Sequence, residues 1–266
     1  MDILKRKLAP VSDEAWREID NRAKDVLKTL LSARKVVHVE GPKGWDYSAV
    51  PEGRLTLKSS KSAKDTDIKT GVYRVKPLVE ARINFELDKW ELDNIERGAR
   101  DINLDALEDA AKKMALFEEN AIYNGYKEGD IQGLSQAAVH TLKFGGSASE
   151  IMASISEARF VLMNAFVEKP YALVVGKEAF KRLNAIFEGY PLIEAVKGLI
   201  GGDVILTEAL DGALLVPYDH EDIEMTVGQD FSIGYSSHDD TKVKFFITES
   251  FTFRVLDERI LVKFEL

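Results

Sequence analysis

The 266-residue sequence contains no cysteine, which excludes disulfides, thiolate nucleophiles, iron–sulfur clusters and cysteine-ligated zinc and suits a reducing compartment. No apolar run is long enough to span a bilayer. The first residues, Met-Asp-Ile-Leu-Lys-Arg-Lys, have neither the apolar core nor the small-residue cleavage site of a signal peptide. Both absences point to a cytoplasmic chain with no membrane partner. Positive charge is in deficit: 36 Lys and Arg face 45 Asp and Glu, a formal net charge of -9. Neutralising a phosphate backbone takes a strongly basic surface, so nucleic acid is disfavoured as a partner. Also missing are a Gly-rich phosphate loop with its lysine, a dinucleotide fingerprint, His-Glu-x-x-His and a Gly-x-Ser-x-Gly elbow. Absent motifs do not exclude an enzyme, but no converging nucleophile and base can be nominated.

What is present is 45% hydrophobic content, enough for one large or two small domains. Ser12, Asp13 and Glu14 open a helix whose apolar stripe runs Trp16, Ile19, Ala23, Val26, Leu27, Leu30 and Leu31. Residues Lys35 to Glu40 read as a short strand stopped by Gly41-Pro42. Next, Arg54 to Lys58 and Gly71 to Lys76 alternate as two strands of a β-ribbon with a polar tip, Ser59 to Lys69. A ten-residue leg spans about 30 Å, against a radius of gyration of about 18 Å for a compact chain of this length. The ribbon therefore either projects and docks on a neighbouring subunit or folds back as an ordinary hairpin; pattern alone leaves the two even.

Pro77 to Leu87 continues as strand and Asp88 to Gly98 as helix. Asn103 is expected to cap a longer helix with Leu107, Ala110, Ala111, Met114, Phe117, Ala121 and Ile122 on its buried face, ending at Asn124-Gly125. Strands on both sides of this spine in sequence make the fold class α+β. Ser147 and Glu150 form a capping box for a helix carrying Ile151, Ile155, Ala158, Leu162 and Phe166. A strand over Pro170–Gly176, a helix over Lys177–Phe187, a helix from Pro191 and strands at 203–207 and 212–217 complete an inserted α/β lobe. The C-terminal segment then alternates, with Val243, Phe245, Ile247, Phe251, Phe253 and Val255 on one face. These strands are expected to close the fold.

Candidate chemistry is thin. His38 alternates within a strand, whereas His140, His220 and His238 fall in polar, turn-like segments. His238-Asp239-Asp240 and Asp219-His220-Glu221-Asp222 have the donors of a hard-metal site or a general base, but adjacent turn residues rarely converge on one ion, so no metal is expected. Glu118 and Glu119 lack the Glu-x-x-His spacing of a di-iron bundle and read as ordinary helix charges. Trp90, beside Asp88 and Glu91, would if exposed offer a face to a planar ligand such as a flavin; core or subunit interface is the commoner fate.

Several segments together resemble the family 1 encapsulins, the nanocompartment shell proteins once labelled linocin-type bacteriocins. They are Leu4-Lys-Arg with Leu8-Ala-Pro10, Trp16 with Glu18-Ile-Asp20, Arg34-Lys35, Val39-Glu-Gly-Pro42 with Gly44-Trp45, Leu92 to Gly98, Gly189-Tyr-Pro-Leu192, Gly228-Gln-Asp with Ser232 to Tyr235, and Thr248 to Phe253. They run in the family's order over nearly the whole chain. The resemblance implies the tailed-phage capsid (HK97-like) fold. Residues 1–49 would hold the N-terminal helix and the start of the peripheral domain, 50–82 the extended loop with its flanking strand, and 83–132 the spine helix. Residues 133–222 would form the axial domain, and 223–266 the strands that close the peripheral domain. It tips the ribbon towards docking between subunits.

The implied function is self-assembly of pentamers, with or without hexamers, into an icosahedral shell around a cargo enzyme, a ferritin-like iron-oxidising protein or a dye-decolorising peroxidase. Roles in iron storage or oxidative stress follow. The shell itself is no enzyme and requires no cofactor, a flavin at Trp90 aside. A cargo targeting peptide is expected in a groove of Leu27, Leu30, Leu31, Arg34, His38, Asp230, Ile233 and Tyr235, where some members carry an aspartate in place of His38. Phe187, Glu188, Gly189 and Tyr190 match the fivefold pore loop. The alternatives are a phage-type major capsid protein, which the acidic balance opposes, and a hydrolase.

Overall fold

Serine at the head of an amphipathic stretch starts the first long element: Ser12 Oγ accepts the Ala15 N–H at 3.1 Å and opens α1 (Asp13–Leu30). The structure, a computed structural model, describes residues 2–58 and 70–266. After α1 come β1 (Val37–Glu40), β2 (Ala49–Lys58), β3 (Thr70–Pro77), β4 (Val79–Asp88), α2 (Lys89–Glu96) and α3 (Asp105–Asn124). The lobe contains α4 (Leu134–Ala137), β5 (His140–Lys143), α5 (Ala148–Asn164), β6 (Tyr171–Val175) and α6 (Lys177–Leu183). It continues with β7 (Ile186–Phe187), β8 (Tyr190–Pro191), α7 (Leu192–Ile200), β9 (Val204–Leu206) and β10 (Ala213–Pro217). The chain returns through β11 (His220–Val227), β12 (Ser232–His238), β13 (Lys242–Val255) and β14 (Val262–Glu265).

Two five-stranded sheets result. The first runs β1-β11-β13-β12, with β4 also paired to β13; the second runs β5-β14-β10-β6-β9. The 14-residue β13 holds the first sheet together, because its early residues pair with β12, its later ones with β11, and β4 follows most of its length. The alternating face read from sequence is the buried one. Phe245 stacks on Phe85 at 5.3 Å between centroids and receives the edge of Trp16 at the same distance. That cluster fastens α1 and the first half of α3 to the sheet. A second core under the lobe takes the far end of α3, through Ala121, Ile122 and Tyr123, together with Phe251 and Phe253. The α3 helix thus serves both cores, which is what makes it a spine.

Among the described residues the ribbon pairs only with itself: β2 and β3 form a separate two-stranded antiparallel sheet. Leu55, Leu57, Val72, Tyr73 and Val75 lie exposed on it, so these legs are not folded back on the subunit's own core. The tip expected at 59–69 lies outside the described residues.

Five expectations need correction. Asn103 accepts the Asp105 N–H through Oδ1 at 3.0 Å, but the cap position belongs to Leu104, which is buried, so the helix starts later. The helix expected to reach Phe187 stops at Leu183, because Glu188 and Gly189 adopt φ of 50° and 80° and turn the β7–β8 hairpin. Phe166, expected on the buried face of α5, is 93% exposed; α5 ends at Asn164, the chain reverses through Phe166 at φ 64°, and Val167 is buried instead. The last strand, expected to close the first sheet, enters the second, with β14 parallel to β5 and antiparallel to β10. Finally, His140, His220 and His238 sit at strand ends rather than in turns.

Candidate functional site

The apolar stripe of α1 is longer than its sheet contact needs, and its last turns form one wall of a groove of about 590 Å³. Ala23, Leu27 and Leu31 supply that wall, Phe231, Ile233 and Ile247 the sheet side, and Leu4 one end. The chain before α1 is held there by backbone pairing, since the Tyr235 N–H donates to the Leu4 carbonyl at 2.8 Å along the edge of β12. Arg6 reaches across to Asp20 with two hydrogen bonds, at 2.7 and 3.1 Å, and lies 4.0 Å above the Trp16 ring.

At the opposite end stands Arg34. Its Nε donates to both Glu118 oxygens at 2.9 and 3.0 Å, Nη1 to Asp230 at 2.8 Å and Nη2 to Glu249 at 3.2 Å. Burial works to lower the pKa of the guanidinium, but the hydrogen bonds and charge of Glu118, with Asp230 and Glu249 behind it, outweigh that and raise it. Glu249 is fully buried, and its Oε1 has no partner among the described residues. Desolvation first, then the neighbouring Glu118 charge, push its pKa well above the usual carboxylate range, against the pull of Arg34. Glu119, equally buried, accepts from the Ser32 hydroxyl, from the Ala33 N–H at 2.8 Å and from the Thr207 hydroxyl at 3.1 Å. Burial raises its pKa against those donors. Glu118 and Glu119 are therefore not ordinary helix charges: they tie the turn after α1 to the spine, because buried carboxylates need fixed donors.

Of the eight residues expected in the groove, Leu27, Leu31, Arg34, Asp230 and Ile233 line it. Leu30, His38 and Tyr235 do not. At about 100° per residue, Leu30 falls on the flank of α1 beyond Ala23, while Leu31 falls on the groove side. His38 is on β1, which pairs with β11 and not with β12. There its Nδ1 meets Asp219 at 2.9 Å and Nε2 lies 3.4 Å from Glu40. Tyr235, two residues past Ile233, is buried with its hydroxyl 2.6 Å from His238 Nδ1. Sequence reasoning missed Leu4, Arg6, Lys24, Lys28 and Lys35, all of which line the groove. The lysines carried a signal, since residues 24 and 28 share the flank of Leu27 and Leu31 on a helical wheel.

The Phe187–Tyr190 segment forms a hairpin tip on the lobe, with Glu188, Gly189 and Tyr190 exposed and Phe187, opposite Tyr190, half-buried against the lobe's core. Trp90 is 69% exposed, with the Arg97 guanidinium 5.5 Å from its ring. Asp239 is occupied by its own turn: the Thr241 and Lys242 N–H groups bind its Oδ1 and hold its carboxyl down to about 2. Among the described residues no group of three His, Asp or Glu side chains is arranged to hold a metal.

Residues 1–252 match the family model described as an encapsulating protein for peroxidase. The chain is 39% identical over 262 residues to the type 1 encapsulin shell protein of Rhodospirillum rubrum, covering 96% of this chain and 94% of that one. It is 36% identical over 255 residues to that of Mycolicibacterium paratuberculosis, covering 95% of each. For that of Brevibacterium linens the figures are 32% over 272 residues and 100% of both. Among solved structures, a virus-like particle from Pyrococcus furiosus superposes with a TM-score of 0.69 at 17% identity, covering 94% and 98% of the two chains. The capsid of the Myoviridae phage XM1 gives 0.59 at 12%, covering 88% and 91%. At these identities the superpositions show the fold, that of tailed-phage capsid proteins.

Proposed function

The chain belongs to the type 1 encapsulin shell-protein family, and from that membership we propose that it closes into an icosahedral shell loading its cargo through a targeting peptide. The peptide sits in the groove between α1 and β12. That groove carries the reading: it is apolar along its floor and bounded by Arg6–Asp20 at one end and Arg34–Asp230 at the other. An extended peptide finds affinity in such apolar pockets and register in the fixed charges. The self-paired ribbon, with apolar residues in the open, suits docking on a neighbouring subunit. The β7–β8 tip suits a pore where five lobes meet in a pentamer. Hexamers enter only in larger shells.

The role is structural rather than catalytic. The cargo is a ferritin-like iron-oxidising protein or a dye-decolorising peroxidase, and the description of the matching family favours the peroxidase and hence a role in oxidative stress over iron storage. No helix among the described residues is long and apolar enough to cross a membrane, in keeping with a compartment free in the cytoplasm. A flavin on the open face of Trp90 would be seen in the visible absorbance of purified shells; the shell does not need it.

The experiment pairs two substitutions three residues apart on α1, about 60° from one another round the helix. Leu27→Asp puts a charge into the groove, whereas Leu30→Asp puts one outside it. Negative-stain microscopy should show hollow particles for both, and mass spectrometry should find the native cargo lost only from Leu27→Asp. Full cargo in Leu27→Asp shells, or loss in Leu30→Asp alone, overturns the assignment. Small oligomers from the unaltered chain overturn the shell.

A further inference from the structure

Five basic side chains line the groove, Arg6, Lys24, Lys28, Arg34 and Lys35, against two acidic ones, Asp20 and Asp230. The two acids are already taken, Asp20 by Arg6 at 2.7 Å and Asp230 by Arg34 at 2.8 Å. Arg34 is further bound to the buried Glu118 and Glu249, so its charge is answered from below and is not open to an occupant. Lys24, Lys28 and Lys35 are different. They are exposed, and none has a carboxylate within 4.0 Å among the described residues. On a chain of net charge -9, this is a local row of unanswered positive charge beside an apolar floor.

We propose that the groove selects an acidic apolar peptide, with hydrophobic side chains seated between α1 and β12 and carboxylates set against Lys24, Lys28 and Lys35. The inference rests on the reading that the groove takes a cargo segment, and adds that segment's chemistry. Spacing supports it. Lys24 and Lys28 are about 6 Å apart along the helix axis, and alternate side chains of an extended strand are about 6.6 Å apart. In a strand alternating apolar and acidic residues, one face meets the floor while the other turns upward. Lysines at the rim, with long stems over apolar surface and ammonium groups in water, reach that upper face. A basic segment in the same place would add like charge to the row and be rejected.

Each exposed ion pair is worth about 1.5- to 5-fold in affinity, so three together give roughly tenfold selection, fading as salt shortens the screening length. The test is competitive loading. The shell is produced together with two differently coloured fluorescent proteins whose terminal peptides share the same apolar positions. Between those positions one carries Asp and the other Asn or Lys, and the colour ratio inside purified shells reads the selection.

The Asp peptide should exceed the Asn peptide by roughly tenfold and the Lys peptide by more. The triple substitution Lys24→Glu, Lys28→Glu, Lys35→Glu should reverse the order in shells of normal size. Equal loading of all three peptides, or an unchanged order in the triple variant, overturns the charge inference and leaves the groove standing. Peptide-dependent loading that survives Leu27→Asp instead overturns the groove itself. Equal loading of a reporter that carries no terminal peptide overturns both.

Discussion

Arg34 and Glu118 meet edge to edge, the guanidinium Nε donating to both carboxylate oxygens at 2.9 and 3.0 Å across 84 positions of sequence. Glu118 is wholly buried and Arg34 only slightly open. Removing the cation therefore strands a buried anion, with Glu249 beside it. Arg34→Met should cost about 3–5 kcal/mol, read as a lower urea midpoint. Adding Glu118→Gln should recover much of the loss, because the anion that needed Arg34 is gone. An unchanged midpoint for Arg34→Met would show that the pair contributes nothing.

Glu249 gives a pH dependence of known sign. Burial, then the Glu118 charge, raise its folded pKa well above the ordinary value of 4.5. Between the ordinary and raised values the folded chain keeps a proton that the unfolded chain releases, so stability falls as pH rises from about 4.5. The contribution is whole below that pH and gone above the folded pKa. Glu249→Gln cannot release a proton, so it should match the wild type at pH 4.5 and exceed it at pH 8. Parallel urea midpoints for the two chains across that range would count against this account.

What the sequence disclosed and what it hid divide by distance along the chain. Ser12, the Ser147–Glu150 capping box and the two-residue alternation through Phe245 and Phe253 are local signals, and the elements they start or face lie where those signals put them. The groove was half legible for the same reason: Leu27 and Leu31 follow from helical period, but Leu4 joins only because the N-terminal segment pairs on the edge of β12. Glu118 and Glu119 looked like surface charges because their partners, Arg34, Ser32 and Thr207, are 84 to 88 residues away. Strand β14 has the same alternation in either sheet, so nothing local tells which sheet it enters. Phe166 was misplaced by running α5 past Asn164, and residues 184–187 by missing the short hairpin that Glu188-Gly189 turns.

The ribbon allows folding and assembly to be tested apart. Leu57 and Tyr73 are 77% and 76% exposed and belong to neither core. Leu57→Asp with Tyr73→Asp should leave the subunit folded, with unaltered aromatic circular dichroism, while light scattering reports small oligomers in place of shells. Shells of normal size from this variant would show that these legs make no essential contact between subunits.

The β7–β8 tip allows a charge to be changed without changing the backbone. Glu188 sits at φ 50° and is exposed, with Gly189 at φ 80° beside it. Lysine suffers the left-handed conformation about as much as glutamate does, so Glu188→Lys should keep the hairpin, whereas Gly189→Val puts a β-branched side chain where φ is positive and should distort it. If the tip lines the fivefold pore, one substitution reverses the charge five times around a single axis. Entry of ferrous iron, followed by a dye trapped in the lumen, should slow several-fold at low salt while particle size stays the same. The difference should shrink at 0.15 M salt, where the screening length is about 8 Å. An anionic solute should show the opposite change. Equal rates for both solutes at low salt would place the tip away from the route that ions take.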